Sequence, residues 1–551
     1  MIKIKSCAHT QVNVQTLIDE LLSCANSQST QVDLFKDAMV CLSTSGGIPE
    51  DLNSHVVARL QGETSAKEFA KWLQMKCQQI ASSYEYNWRL TNSASFANWT
   101  CVQKAQVAWE KRMIRSLTSM CQELGIRHYG KRENALCALI LNNWTELSLV
   151  FNKSSPVKPI FGSKDLLDVL ICIKHPNRNA PQRILSDKFE NILPPYWGLF
   201  PIPTKTKTWV ELKSFYAALA LQNPQVGVDD IISGRFVQMF EREAEKIIHT
   251  SCRKSSRDFL KHGCPLGHRA KMWELYLNIN VTKEDELFYN QLKSSVASDE
   301  YVVDLIVCKV NTKHSSMRFI FQEVQLTAAN DEMHFVFCDY TYQVLLIFAR
   351  DATVHDYLQH KVQTVKSNSR SINDAMVYPP SKVIPFHGFS MYVLPLCYLY
   401  DDPVKLYFVF RQFYVRYFYK LHNINTEQDG ILNLCVIFER LFQTKEPQLF
   451  LHLRSHTIHP IRFAFKWMMR AFSGFLAPNQ VLLLWDRILA FDSLELLAIL
   501  AVAIFSYRRE NLLSINTVIG IECFDTLQAI LADLTSIHVT TLLQLVLFTN
   551  P

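Results

Sequence analysis

The sequence predicts an all-α, multi-helix protein, and two observations carry this. Glycine is scarce, at 15 of 551 residues, less than half the ~7% of an ordinary chain. A hairpin-rich β protein draws on glycine for its left-handed turns, so that class is disfavoured. Apolar residues also recur three or four apart over long stretches, which lays them along one stripe of a helix. Val102, Ala105, Trp109, Met113, Leu117, Met120 and Leu124 make such a stripe, and Gly125 is a natural stop after it. At 551 residues the chain has room for two to four domains, and nothing repeats at a solenoid period.

Further along, residues 406–421 and 494–505 are rich in apolar positions and read as helices. Residues 467–475 and 480–489 read as a helix pair joined by 476–479, with Asn479 as N-cap and Pro478 just before it. Residues 302–310 fit a short strand or a buried helical turn equally well. Two polar stretches punctuate the chain. The one at about 223–256 reads as a boundary. The one at about 359–382, with Pro379 and Pro380, reads as a long surface loop. The division is a mostly helical N-terminal region (1–245), a helical domain (246–520) and a C-terminal helical segment packed on it (521–551).

The charge, 57 basic against 51 acidic residues, is mild. It does not call for nucleic acid and is compatible with an acidic partner. Fifteen cysteines without a C-x-x-C read as reduced, buried thiols of a cytosolic protein. The start lacks an apolar signal region, and the longest apolar runs are about half the ~20 residues that span a bilayer. The expectation is a soluble intracellular chain whose membrane contact goes through a partner. Phosphate-binding, dinucleotide, nucleophile-elbow, zincin and kinase motifs are absent from the sequence. His452, His456 and His459 are the best metal candidates by spacing, but Pro460 breaks the pattern and no cysteine or carboxylate lies beside them. A solvated helix end is the favoured reading, so neither metal nor cofactor is assigned. Between Tyr407 and Tyr419, eight aromatics interleave with Arg411 and Arg416, and Lys420 follows. Such a pattern can stack bases. A core helix whose basic stems lie over apolar surface explains it better.

Three segments resemble the TBC domain of Rab GTPase-activating proteins. Residues 259–273 place Gly263, Pro265, Arg269 and Trp273 in the order of the family's opening G-x-P, R and W. Residues 388–396 resemble the stretch after the family's Y-x-Q motif. Residues 465–489, with Trp467, Phe472, Trp485 and Asp486, resemble its Trp-Asp helix. Their order over about 240 residues makes the resemblance specific. Residues 104–112, 117–124 and 164–170 resemble the region preceding the domain in one member of that family.

The resemblance implies an all-helical domain that hastens GTP hydrolysis on a Rab with two inserted side chains, an arginine from I-x-x-D-x-x-R and a glutamine from Y-x-Q. Phosphoryl transfer needs placement and charge more than covalent help. In this register Val336, Asp339 and Tyr342 meet the first motif, with the aspartate kept and the arginine replaced by Tyr342. A neutral phenol cannot offset phosphate charge. Arg350, eight residues on, is about 12 Å away along a helix and a poor substitute. Pro385, Phe386 and His387 meet the second motif, so His387 replaces the glutamine, followed by the matching Gly388. Histidine can orient a water but does not mimic a planar amide. Asp339, Tyr342, His387 and Gly388 are expected at the Rab-facing groove, although Tyr342 and His387 also fit plain packing roles. Gly263, Pro265, Arg269, Trp273, Trp485 and Asp486 are expected to be structural.

The implied function is a GTPase-activating protein for Rab small GTPases with both finger positions substituted. The alternative is a non-catalytic Rab-binding effector or scaffold. A third reading makes the N-terminal half, with Trp72, Trp88, Trp99, Trp109, Trp144 and Trp197, the main interaction surface, although buried tryptophans explain those residues as well. The nucleotide and Mg²⁺ would belong to the GTPase, and the partner is a Rab rather than nucleic acid. The implied location is cytoplasmic, peripheral on intracellular membranes through the Rab.

Overall fold

The computed structural model describes residues 100–151, 160–173, 199–200, 206–228, 234–310, 337–361, 378–425, 427–455, 458–515 and 521–549. Among them the architecture is helical. One two-stranded antiparallel ribbon is present, β1 (Tyr129–Lys131) against β2 (Asp299–Tyr301), with Tyr129 opposite Tyr301. No helix among the described residues is long and apolar enough to cross a membrane.

Helix α1 (Thr100–Leu124) forms where the apolar stripe predicts it. It buries Val102, Trp109, Met113, Leu117 and Met120, and Gly125 ends it at φ +66°. Trp144 is buried too, whereas Trp72, Trp88, Trp99 and Trp197 lie outside the described residues. Helix α2 (Ser163–Ile171) follows and packs on α1.

The polar stretch at 223–256 is not a pause in the chain. It contains the helix Gly234–Thr250, which buries Phe240, Ala244 and Ile247 at helical spacing and turns its charged side outward. The division at 245/246 therefore falls inside one helix. Polarity there marks a solvated helix face rather than a linker. Residues 302–310 are helical, which settles the open choice between strand and helix.

The core is built around helix α9 (Glu495–Tyr507), buried from Glu495 to Phe505. Helices α6 (Ile431–Lys445), α7 (Ile461–Met469) and α10 (Val539–Phe548) surround it. Phe505 sits 5.1 Å from Phe442 and 5.8 Å from Trp467, ring to ring. A helix apolar on every side stands in the middle of a bundle.

Helix α8 (Pro478–Phe491) corrects the reading of the 467–489 pair. The preceding helix starts at Ile461 and stops at Met469, because Ala471 and Phe472 adopt left-handed φ of 48° and 62°. Ala477 is the N-cap of α8, and Pro478 is its first residue rather than the one before it. Proline suits that position, since its fixed φ matches a helix and its missing N–H would be unpaired anyway.

Helix α8 holds the node that ties the domain together. Asp486 is fully buried. Its carboxylate accepts from Trp273 Nε1 at 2.7 Å, Cys264 N at 2.9 Å and Arg269 Nε at 3.1 Å. Arg269 and Trp273 belong to α3 (Leu266–Leu277), whose N-cap is Pro265. Trp485 Nε1 donates to Ala471 O at 3.1 Å. Gly263 takes φ +88°, and a Cβ there would meet Arg487 Nη1 at 2.9 Å. Arg487, fully buried, reaches across to Gln225 Oε1 at 3.1 Å and Val226 O at 3.0 Å. Burial without a carboxylate on its guanidinium pushes its pKa down to about 10.

Candidate functional site

Helix α4 (Cys338–Arg350) carries Asp339 and Tyr342 of the segment that resembles the first motif, while Val336 lies outside the described residues. Asp339 lies in its first turn, where a carboxylate suits the helix dipole. Half-buried, it accepts from Ser148 N at 2.7 Å, which ties α4 to the helix Leu147–Phe151. Tyr342 lies one turn on and is 1% exposed, packed in the core beside Cys338. The structure therefore gives it a packing position rather than an open one. The Cys338 thiol is pushed up by burial, against a hydrogen bond with Tyr342 that lowers it.

Arg350 ends α4 in a buried cluster. Nη1 and Nη2 each reach the Asp304 carboxylate at 2.6 Å, and Nη2 also reaches Asp299 O at 2.7 Å. Arg132 Nη2 meets the same carboxylate at 2.8 Å. Burial opposes the charge on Arg350, yet Asp304 holds its pKa above the ordinary value. A guanidinium gripped in this way is a structural tie between α4, the helix Val302–Val310 and the N-terminal segment, not a mobile finger.

The segment that resembles the second motif lies in the stretch before the short turn Phe389–Tyr392. Val383, Ile384 and Phe386 are buried, and Ser381 N donates to Ala349 O at 3.2 Å, which docks the stretch on the end of α4. His387 is half-buried. Its N–H donates to Phe161 O at 3.0 Å, and the Phe161 and Phe386 rings are 5.7 Å apart. Trp109 of α1 meets Phe161 edge-on at 5.1 Å. Residues before α2 thus cover one side of the His387 loop. Gly388 adopts φ +92° as the cap of the short turn Phe389–Tyr392. On its far side lies Arg470, whose Nη2 donates to His387 O at 3.3 Å.

The structure thus anchors the four expected residues as two pairs. Asp339 and Tyr342 sit on α4 toward Ser148, while His387 and Gly388 sit between the Phe161 segment and Arg470. Phe348, which approaches Phe389 at 6.1 Å, is six residues beyond Tyr342, about 9 Å of helix. Sequence reasoning missed Arg470. Its signal was available: Arg462, Lys466 and Arg470 are spaced four apart in an otherwise apolar segment. The cover by Phe161 left no mark in the sequence.

His452 and His459 are half-buried, His456 lies outside the described residues, and no metal-holding group of His, Cys, Asp and Glu occurs among the described residues. The aromatic stretch is α5 (Pro403–Phe413) continued by a π-type turn, Tyr414–Phe418. Its basic side chains end on carboxylates. Arg411 lies 3.3 Å from Asp351, Arg416 3.0 Å from Asp492 and Lys420 2.8 Å from Asp429.

Comparison with known proteins agrees with this frame. The Rab-GTPase-TBC domain family matches residues 386–513, which span His387, Gly388, Arg470 and Asp486. The chain is similar to TBC1 domain family member 19 of Homo sapiens, 41% identical over 456 residues, 81% of this chain and 82% of that protein. No solved structure matches. With the buried Arg269–Trp273–Asp486 node, the Trp485 anchor and likeness over most of its length, the chain belongs to the Rab-GTPase-TBC domain family.

Proposed function

We propose that this chain binds a Rab small GTPase and acts as a GTPase-activating protein in which both finger positions are substituted. Family membership supports the partner. The observation that carries the substitution is position 342. A buried phenol stands where the motif has arginine, and the next arginine on that helix, Arg350, is spent on Asp304. Position 387 carries an imidazole where the motif has an amide. The proposed Rab-facing residues are Asp339, Tyr342, His387 and Gly388, with Tyr342 acting from within as support for the start of α4. The proposed binding unit runs from the helix Gly234–Thr250 through Leu513, with α10 packed against it. It works on the cytoplasmic side of intracellular membranes, reached through the Rab.

The same burial of Tyr342 favours a second reading, a Rab-binding effector or scaffold without catalysis. The experiment is binding and single-turnover GTP hydrolysis measured together on a Rab panel, with the full chain and its His387→Gln variant. Acceleration by the natural chain is expected under the first reading, and binding without acceleration under the second. A gain in rate from His387→Gln would identify the missing amide as a rate-limiting loss. Absence of binding across the panel would overturn both readings and direct attention to the N-terminal half.

A further inference from the structure

Helix α7 buries Ile461, Phe463, Ala464, Phe465, Trp467, Met468 and Met469. What remains on its outer side, in and just after the helix, is Arg462, Lys466 and Arg470. Residues four apart share one face, so these three form a basic row. Its members are held differently. Arg462 Nη1 lies 3.9 Å from Asp168 on α2. Lys466 Nζ and Arg470 Cζ stand 5.9 and 5.4 Å from the Phe475 ring, which faces both cations.

Arg470 reaches the loop of the second finger segment. It is the C-cap residue of α7, where a positive charge suits the helix dipole. Its guanidinium lies against the backbone of Gly388. A Cβ at that position would stand 2.5 Å from Arg470 Cζ and 2.8 Å from Nη2. A side chain there would displace the guanidinium from this place, and φ +92° independently favours glycine. Gly388 is therefore the seat of Arg470, and the hydrogen bond to His387 O fixes the fork's direction. The loop lacks the glutamine and α4 lacks the arginine, yet an arginine from α7 stands at the loop.

We propose that Arg470 is the cation that this chain presents to the nucleotide phosphates of a bound GTPase, seated on Gly388. This rests on the reading of the chain as a Rab-binding TBC protein. Arginine is charged at any working pH and offers a planar fork of donors that matches phosphate oxygens. The chemical step remains the GTPase's own. A water oxygen bonds to the γ-phosphorus, the bond from that phosphorus to the β–γ bridging oxygen breaks with its electron pair kept by GDP, and the water's protons leave to phosphate and solvent. Arg470 exchanges no proton. It offsets the charge that gathers on the phosphate oxygens.

The test uses the full chain and its Arg470→Ala, Arg470→Lys and Gly388→Ala variants against Rab proteins. Three readouts are taken: binding to the GTP form, single-turnover hydrolysis, and complex formation with the GDP form in the presence of aluminium fluoride. The expected result is acceleration by the natural chain and a loss of about 10³-fold with Arg470→Ala, at the low end of an arginine finger's worth. Binding stays within a few-fold, and the fluoride-dependent complex disappears. Arg470→Lys recovers only part of the rate because the fork is gone, and Gly388→Ala lowers the rate by displacing the guanidinium. Acceleration and fluoride complex unchanged in Arg470→Ala would overturn this inference alone. So would binding without acceleration by the natural chain, or a loss of binding in Arg470→Ala that tracks a fall in its melting temperature. No binding of any Rab by the natural chain would overturn the Rab reading and this inference with it.

Discussion

Replacing Asp486 with alanine removes an acceptor on which three donors converge: the Arg269 guanidinium, the Trp273 indole N–H and the Cys264 backbone N–H. None of them has access to bulk water in its place. Arg269 is 3% exposed and Trp273 and Cys264 are fully buried. Stranding one member of a buried ion pair costs about 3–5 kcal/mol, and each neutral donor left unpaired adds about 1–3 kcal/mol. These terms overlap because the three donors share one site. Even the ion-pair term alone is a large share of the ~5–15 kcal/mol that holds a domain folded. At roughly 2 °C per kcal/mol for a large domain, Asp486→Ala should melt about 6–10 °C lower and accumulate less soluble protein. Circular dichroism melts give the first readout. Trp273 fluorescence gives the second, since its indole loses its partner. The double variant Arg269→Met, Asp486→Leu removes both charges and should melt higher than Asp486→Ala alone. An Asp486→Ala melt within about 2 °C of the natural chain would refute the claim that this carboxylate ties the opening motif to the Trp-Asp helix.

Two more outcomes follow from buried groups. Tyr342→Arg, the obvious way to restore a finger, puts a guanidinium at a position that is 1% exposed in the core and should cost about 3–5 kcal/mol. A thermal melt equal to that of the natural chain would show that position 342 opens to solvent. His422, buried with its Nε2 3.0 Å from the Tyr414 hydroxyl, has its pKa pushed down by burial to about 3. The folded chain keeps it neutral where the unfolded chain, at the ordinary value of about 6.5, takes up a proton. Its contribution is therefore fully present above about pH 6.5 and is lost as pH falls toward 3, at up to about 1.4 kcal/mol per pH unit. Urea midpoints between pH 7 and 5 should fall less steeply in His422→Gln than in the natural chain. Identical slopes would remove His422 as the source.

The readings that held rest on local periodicity or on short segments of fixed order. Helix α1 forms over its apolar stripe and stops at Gly125, and residues 406–421 and 494–505 are helical. Readings based on polarity fared worse. The stretch at 223–256 looks like a linker because one face of an amphipathic helix is charged, and hydrophilicity alone does not separate a solvated helix from a loop. Pro478 is legible as a helix signal, but the N-cap lies at Ala477, two positions before Asn479, since proline serves both before and at the first helical turn.

The candidate site divides along a similar line. Sequence order and spacing are what the proposed register of the two finger motifs rests on. Sequence alone determined the family segments and the helices that carry them, because an apolar residue every three or four positions suffices to define a buried face. The tertiary structure decided where each polar side chain ends. Tyr342 is in the core, Arg350 is held by Asp304 46 residues away, His387 is covered by Phe161, and Arg470 lies on a loop 83 residues before it. A helix's own sequence fixes its apolar face, but the partner of a charge on that helix is set by which helices cross it and at what height. Those crossings are products of the whole packed core, and no stretch of the chain records them locally.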